Sequence, residues 1–448
     1  MHNTMYKKII CIFINLFFMA FATHASDAAP ETDSATVASK WRVGGYGEML
    51  ACYKDYGQNR YYGGMGNTKK NHAEISIPRF VLSGEYRITP KWILAAEIEF
   101  ESGGTGMAHE LESGTGSENG EYEVEYEKGG EVALEQFHIT RLIVPEFNIR
   151  AGHLVLPIGL TNAHHEPLNF FTAARPEGST ILLPSTWHET GLELFGQFGK
   201  KKAVFNYQAM ITAGLNPNGF NVYNWVKGGK QGLFETDNFT SPAYSARLDW
   251  KGVPGLRIGA SLFYNPSAEK NCDKLDTYSG LKNPVNVLIY SFDAQYINKF
   301  FTVRANYLSG DITETVDLTA RNRKYTSKSP YSRKGPIAKR ALDYSVELGL
   351  NVKAFFDNAP KFPRLYPFAH YNYYNPQEEG ETGMVMEKRC QVSMWSFGIN
   401  YYAVAGLVIK ADYTTRQIGT NKMFGKSEFN SENEIRLGIA YALWFTNK

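Results

Sequence analysis

The sequence has almost no net charge, because 47 lysines and arginines face 45 aspartates and glutamates, which gives +2 at pH 7. A chain so balanced has no bulk attraction for nucleic acid. It contains only four cysteines in 448 residues, at Cys11, Cys52, Cys272 and Cys390, too few for a disulfide scaffold. No apolar run after the N-terminus reaches the ~18 residues that a membrane-spanning helix needs. We therefore expect neither a nucleic-acid-binding protein nor a helical membrane protein.

Aromatic residues and glycine are plentiful, with 28 Tyr, 28 Phe and 41 Gly. Flat aromatic side chains suit a pleated surface, and glycine suits tight turns. The composition therefore favours an all-β chain. Nothing in the sequence resembles a linker between two cores, so one large sheet has to be closed or covered.

The N-terminus has the order of a secretory signal peptide. Lys7 and Lys8 precede an apolar stretch at 9–22, and small residues follow it. A polar segment comes next. We expect a signal peptide at 1–25, a polar leader at 26–40 and one folded domain at 41–448.

Apolar residues alternate with other residues in long segments of the folded domain. Near the C-terminus, Ile435, Leu437 and Ile439 are separated by Arg436 and Gly438. A period of two predicts strands with one apolar face and one wet face. A second sheet or lipid could cover the apolar face, and the alternation does not decide between them.

The lengths of the connections decide between these two possibilities, because short turns alternate with long polar loops. The turns are 89–91, 145–146, 199–202, 252–255, 298–299, 354–362 and 403–406. The loops are 54–71, 102–130, 157–188, 213–241, 265–286, 310–339, 374–389 and 416–432. Short turns at one rim and long loops at the other are typical of a bacterial outer-membrane barrel.

We therefore predict a sixteen-stranded antiparallel transmembrane β-barrel at 41–448, with outer-membrane lipid as its outer partner. Aromatic residues such as Trp92 and Tyr413 fall near strand ends, where the two membrane interfaces would lie. The predicted localisation is the cell outer membrane of a Gram-negative bacterium.

The third long loop, 157–188, differs from the other loops because it is rich in proline and apolar residues such as Phe170, Phe171 and Leu182. A loop of this composition should be packed rather than solvated. In a sixteen-stranded barrel it fits inside, against the wall, where it would set the smallest aperture.

Charged residues on the wet faces are as often acidic as basic, so the wall offers water and small polar solutes a path without excluding either ion sign. Each charge is more easily explained by pairing within the wall than by solute contact. The candidate constriction and lumen residues are Arg150, His164, His165, Glu166, Arg175, Glu177, His188, Glu189, Glu193, Arg247, Arg257, Arg304, Lys410 and Arg436.

The segment Ala151 to Leu160, with Arg175 and then His188 to Leu194, resembles the strand, inward loop and returning strand of the phosphate-selective porin O/P family. The resemblance implies a homotrimeric diffusion channel whose third loop forms the constriction, and some members take up phosphate or pyrophosphate through a basic lumen. This chain departs from that pattern because its wall is charge-balanced. We expect passive diffusion of small hydrophilic solutes or ions, with anions such as phosphate among the candidates.

Two other functions remain open from the sequence. A hydrolase is one, because His164, His165 and His188 share the third loop with Ser179, Ser185 and Glu189. A sugar-binding or structural surface barrel is the other, supported by the loop aromatics Tyr61, Tyr62, Tyr223 and Trp225. Adjacent histidines cannot easily face one metal ion, so we expect no metal, no cofactor and no catalysis.

The fourth predicted strand, 131–143, is irregular, since neither of its faces is uniformly apolar. A β-bulge or contact with a neighbouring subunit would explain this. We expect the first five strands to form the subunit interface.

Overall fold

A computed structural model describes residues 40–55, 71–104, 107–112, 123–128, 130–231, 236–272, 281, 283–322, 335–356, 362–419 and 431–445. The predicted signal peptide and all of the leader except Lys40 lie outside these residues, as do Tyr61 and Tyr62. Within the described part of the chain, no helix has both the length and the apolar character needed to cross a membrane.

Sixteen strands form one closed antiparallel barrel, which confirms the predicted fold. They are β1 (Trp41–Asp55), β2 (His72–Thr89), β3 (Trp92–Glu101), β6 (Glu131–Val144), β7 (Phe147–Val155), β8 (His188–Lys200), β9 (Ala203–Thr212), β10 (Ala243–Val253), β11 (Leu256–Asn265), β12 (Val287–Ile297), β13 (Phe301–Ile312), β14 (Arg340–Leu350), β15 (Arg364–Glu379), β16 (Val392–Val404), β17 (Leu407–Ile418) and β18 (Ser431–Trp444). Strand β1 closes the barrel against β18.

Two further strands, β4 (Met107–Glu112) and β5 (Glu123–Lys128), form a hairpin of their own within the connection from β3 to β6. The sequence pattern predicted only a loop there. The helices are short: α1 (Leu160–Ala163), α2 (Glu177–Leu182) and α3 (Thr315–Asn322). Single 3-10 turns lie at Pro167–Asn169, Pro217–Gly219, Lys227–Gly229, Ala268–Asn271, Val352–Phe355 and Lys388–Cys390.

The barrel wall shows the predicted alternation. On β18, Ile435 is 55% exposed and its neighbour Arg436 only 6%. Apolar side chains therefore face outward and the polar ones face the interior, as expected where lipid covers the outside. The irregular strand β6 contains the predicted β-bulge, because its register against β3 shifts between Leu134 and Gln136 and leaves Glu135 without a partner residue.

The interior of the barrel is less wet than the alternation predicted. Near the long loops, the inward residues of β10–β14 are apolar and buried, including Phe263, Ile289 and Leu308. They pack against loop residues such as Trp187 and Trp225 in one apolar core. The prediction of a wet inner face was therefore wrong for this sector. The physical reason is that loops folded into the barrel exclude water from it.

Candidate functional site

The connection from β7 to β8, residues 156–187, lies inside the barrel, and we call it the inward loop. The backbone N–H of Gly159 donates to Ser261 Oγ on β11 (3.1 Å), and that of Leu160 donates to Asn306 Oδ1 on β13 (3.2 Å). Gly159 has φ 73°, a left-handed conformation that favours glycine. The chain therefore leaves the wall at β7 and meets it again several strands away.

Lys410 on β17 holds the middle of the inward loop. Its Nζ donates to the carbonyl oxygens of Pro167 (2.6 Å), Phe170 (2.8 Å) and Thr172 (3.0 Å). The side chain is 1% exposed and lies against the Phe170 ring. An ammonium group has three donors, and here all three end on the loop backbone. Lys410 is thus an anchor for the inward loop.

Carboxylates of the wall bind backbone amides of the same loop. Glu347 Oε2 accepts from the N–H of Phe171 (2.8 Å), and Asp412 Oδ2 accepts from the N–H of Ala173 (2.6 Å). Hydrogen bonds to ionised groups are stronger than neutral ones. The amides of Phe171 and Ala173 are no longer part of the sheet, and these contacts supply them with charged hydrogen-bond partners inside the barrel.

Helix α2 is fixed to the wall at its first turn. Gly178 N–H donates to Asn372 Oδ1 (2.9 Å) and Ser179 Oγ donates to Asp343 Oδ2 (2.9 Å). Glu177 Oε1 accepts from Tyr374 OH and from Arg416 Nη2, both at 2.5 Å. The wall and α2 therefore share one polar network.

Arg175 ties two parts of the inward loop together. Its guanidinium donates to Ser185 Oγ (2.8 Å), Thr186 Oγ1 (3.1 Å) and the carbonyl of His165 (3.3 Å). Burial, and then the neighbouring Arg79, lower the pKa of Arg175 to about 10. The Arg175 guanidinium therefore holds residues 165 and 185–186 of the inward loop together.

His165 joins the inward loop to β6. Its Nε2 lies 3.1 Å from Glu135 Oε1, and its carbonyl accepts from Arg79 Nη2 on β2 (3.0 Å). Burial opposes protonation, but the Glu135 carboxylate outweighs it and raises the pKa of His165 to about 9. Neighbouring Glu166 accepts from Asn169 Nδ2 within the loop (2.5 Å).

A second group of charges lies on β10–β14. Arg247 Nη2 pairs with Asp249 (2.8 Å) and Asp293 (2.9 Å), and Arg257 lies 3.7 Å from Asp293. The Arg257 guanidinium contacts His164 of the inward loop. Arg304 pairs with Glu347 at 2.6 Å. On β18, Arg436 pairs with Asp412 at 2.6 Å.

The remaining candidates lie on β7 and β8. Arg150 Nη1 pairs with Glu193 Oε2 (2.8 Å), whose other oxygen accepts from Gln208 (2.7 Å). Glu189 Oε1 accepts from Trp187 Nε1 (3.0 Å). His188 contacts His153, and its Nε2 lies 2.8 Å from Lys230 Nζ. Burial lowers the pKa of Lys230.

The structure thus gathers the predicted candidates in and around the inward loop, and it pairs most of the charged ones with a residue of opposite charge. Sequence reasoning missed four residues that contact the candidates or the inward loop. They are Glu135 beside His165, Asn372 beside Gly178, and His153 and Lys230 beside His188. Glu135 could not be assigned because a bulge decides which way it points. The shortage of charge on the third loop was a usable signal, since its bare backbone needs partners from the wall.

A small cavity lies where the inward loop meets the wall. A cavity with about 30 Å³ of room for water is lined by His164, Phe170, Arg304, Glu347 and His370, among others. That volume holds one or two water molecules.

Three of the described residues behind the two alternative functions, Ser179, Ser185 and Trp225, have other partners. Ser179 Oγ donates to Asp343 and Ser185 Oγ accepts from Arg175, so both hydroxyls are bound by residues other than histidine. Trp225 is 0% exposed and donates from Nε1 to the carbonyl of Ala338 (3.2 Å). A buried indole cannot stack on a sugar at the surface.

Comparisons with known proteins support the fold. No protein-family profile matches the chain. A protein of Aquifex aeolicus (strain VF5), described only as uncharacterized, is 26% identical over 382 residues, which are 83% of this chain and 74% of that protein. The resemblance to the phosphate-selective porin O/P family is not confirmed.

Three solved structures are similar in fold. OprB of Pseudomonas putida has a TM-score of 0.52 at 10% identity, covering 90% of this chain and 94% of its own. Salmonella typhi OmpF in complex with daunomycin has 0.51 at 11% identity, covering 90% and 97%. The outer membrane channel DcaP of Acinetobacter baumannii has 0.50 at 10% identity, covering 92% and 100%. The structural neighbours of this chain are thus outer-membrane porins and channels.

Proposed function

We propose that this protein is a porin of the Gram-negative outer membrane that passes small hydrophilic solutes or ions by passive diffusion, without catalysis. The observation that carries the proposal is a closed sixteen-stranded barrel with an apolar outside and a loop bonded within it. Closure of the barrel gives the backbone N–H and C=O groups of the strands hydrogen-bond partners, which lipid cannot provide. Residues 1–25 would direct export and residues 41–448 would form the barrel.

The inward loop would set the aperture. Lys410, Glu347 and Asp412 bind its backbone directly, so it is held at several points along its length. The candidates Arg150, Glu166, Glu193, Arg247, Arg257 and Arg304 would line the approach to this constriction.

Ion selectivity should be weak. Arg150, Arg247 and Arg304 each pair with a carboxylate at 2.9 Å or less, which neutralises the charge they would offer to an anion. Anions such as phosphate therefore fall within the proposed solute range without a dedicated site. This favours a general pore over a phosphate-specific one.

We also propose a homotrimer in which β1, β2, β3, β6 and β7 form the subunit interface. The support is the outward face of β6, where Arg141 interrupts the exposed apolar residues Phe137 and Ile139. A charged side chain facing lipid costs free energy that a neighbouring subunit would relieve. Crosslinking in native membranes should yield trimers; monomers alone would contradict this assignment.

The test of the channel is conductance in planar lipid bilayers. Purified protein in potassium chloride should give stepwise openings of low conductance, and added phosphate should leave them unblocked. Heat-unfolded protein is the control. Reconstituted, folded protein without conductance would overturn the porin function, whereas block by phosphate would overturn only the weak selectivity.

A further inference from the structure

A histidine and two carboxylates lie close together where the inward loop packs against strands β3 and β6. His165 of the loop, Glu97 of β3 and Glu135 of β6 each place one potential ligand atom within 4.8 Å of the others. Nitrogen and oxygen ligands in this combination suit zinc and related divalent ions better than calcium or magnesium. We propose that these three side chains form a binding site for a divalent transition-metal ion such as Zn²⁺.

The hydrogen bonds around His165 leave the right nitrogen for a metal. Its Nδ1 lies 3.2 Å from the carbonyl oxygen of Asn162, which can only accept a hydrogen bond. Nδ1 therefore carries the proton when the ring is neutral, and the lone pair is on Nε2, which faces Glu135. A second hydrogen bond of this kind is what orients most metal-binding histidines.

The two carboxylates are oriented in the same way. Tyr46 OH donates to Glu135 Oε2 (2.5 Å), and the other oxygen of this buried carboxylate, Oε1, faces His165 Nε2 at 3.1 Å. Ser83 Oγ (3.0 Å) and Gln136 Nε2 (2.5 Å) donate to Glu97. A metal ion would take the place of the proton between His165 Nε2 and Glu135 Oε1, because a ligand atom must lose its proton to bind the ion.

The local charge also favours a cation. Arg79 forms ion pairs with Glu48 (3.3 Å) and Glu99 (3.9 Å). Glu97 and Glu135 receive neutral donors from Tyr46, Ser83 and Gln136, and the cationic group at hydrogen-bond distance from Glu135 is the His165 ring. A divalent ion that displaces the proton of His165 would balance both carboxylates, and its binding would release that proton.

Such an ion would join β3, β6 and the inward loop. Ligand atoms of a tetrahedral zinc ion lie about 3.3 Å apart. His165 Nε2 and Glu135 Oε1 are already 3.1 Å apart, so Glu97 is the ligand that would have to move closer. The β6 bulge makes the site possible, because it turns Glu135 toward the loop beside Gln136. The site is independent of the porin function, since metal binding requires no transport.

The test is calorimetric titration of Zn²⁺ into untagged, chelator-treated protein in detergent. We expect one tight zinc ion per chain and a zinc-dependent rise of the unfolding temperature. Glu135→Gln and His165→Gln should each weaken binding at least ten-fold. Glu101→Gln is the matched control, because Glu101 lies on β3 but is exposed, and it should bind zinc like the wild type.

Folding of each variant is checked by heat-modifiable migration on SDS gels. If Glu135→Gln fails to fold, Glu97→Gln replaces it, because Glu97 is only half-buried. Absence of one-to-one binding to the wild type would overturn the proposal. So would equal affinity in Glu101→Gln and the ligand variants, which would show an adventitious ion only.

Discussion

Lys410 Nζ lies 2.6 Å from the carbonyl oxygen of Pro167, and this contact joins the barrel wall to the inward loop. Two more carbonyls of the loop, those of Phe170 and Thr172, accept from the same ammonium group. A single wall residue thus fixes a segment that contains proline and cannot form a regular strand.

Replacing the anchor should widen the channel. Lys410→Met keeps the length of the side chain but removes all three donors, which should cost about 1.5–3 kcal/mol of stability and free the loop. We expect a larger single-channel conductance with more noise. Lys270→Met is the control, because Lys270 is exposed on a 3-10 turn. Unchanged conductance in Lys410→Met would argue against its anchoring role.

The glycine at the start of α2 should not tolerate a side chain. A Cβ on Gly178 would lie 1.9 Å from Asp343 Oδ1 and 2.9 Å from Asn372 Nδ2, the residues that hold the helix. Gly178→Ala should therefore displace α2 from the wall and change the conductance. Gly84→Ala is the matched control, because a Cβ there meets nothing within 4 Å. Identical channels from both variants would contradict the described contact.

The ion pair between Glu177 and Arg416 should be measurable by a double-mutant cycle in thermal unfolding. The two side chains are 2.5 Å apart, but that of Glu177 is still 25% exposed. Solvent screening therefore limits the expected coupling to about 1 kcal/mol. The variants are Glu177→Gln, Arg416→Gln and their combination. Strictly additive effects would show that the pair contributes nothing.

The apolar core inside the barrel should contribute to stability. Trp225→Ala removes a fully buried indole from the contact between loops and wall, which should cost about 3–5 kcal/mol. Circular dichroism during heating measures the loss. Phe239→Ala removes a ring that is 52% exposed and should change the unfolding temperature little. Equal shifts in the two variants would contradict this core.

The inward loop itself was predictable, but its partners were not. Its proline and apolar content showed that it could not remain in solvent. Which wall residues bind it depends on the heights at which distant strands place their side chains. Lys410 is over 200 residues away along the chain and looked like any other lumen charge, whereas its contacts show an anchor.

The sixteen barrel strands, their outward apolar faces and the order of short turns and long loops were determined by the sequence alone, because a period of two and the lengths of connections are local properties. Only the tertiary structure decided that loops and inward residues of β10–β14 form an apolar core, and that the β6 bulge turns Glu135 toward His165. Both depend on pairings between residues far apart in the chain, and no local pattern records which surfaces meet when the barrel closes.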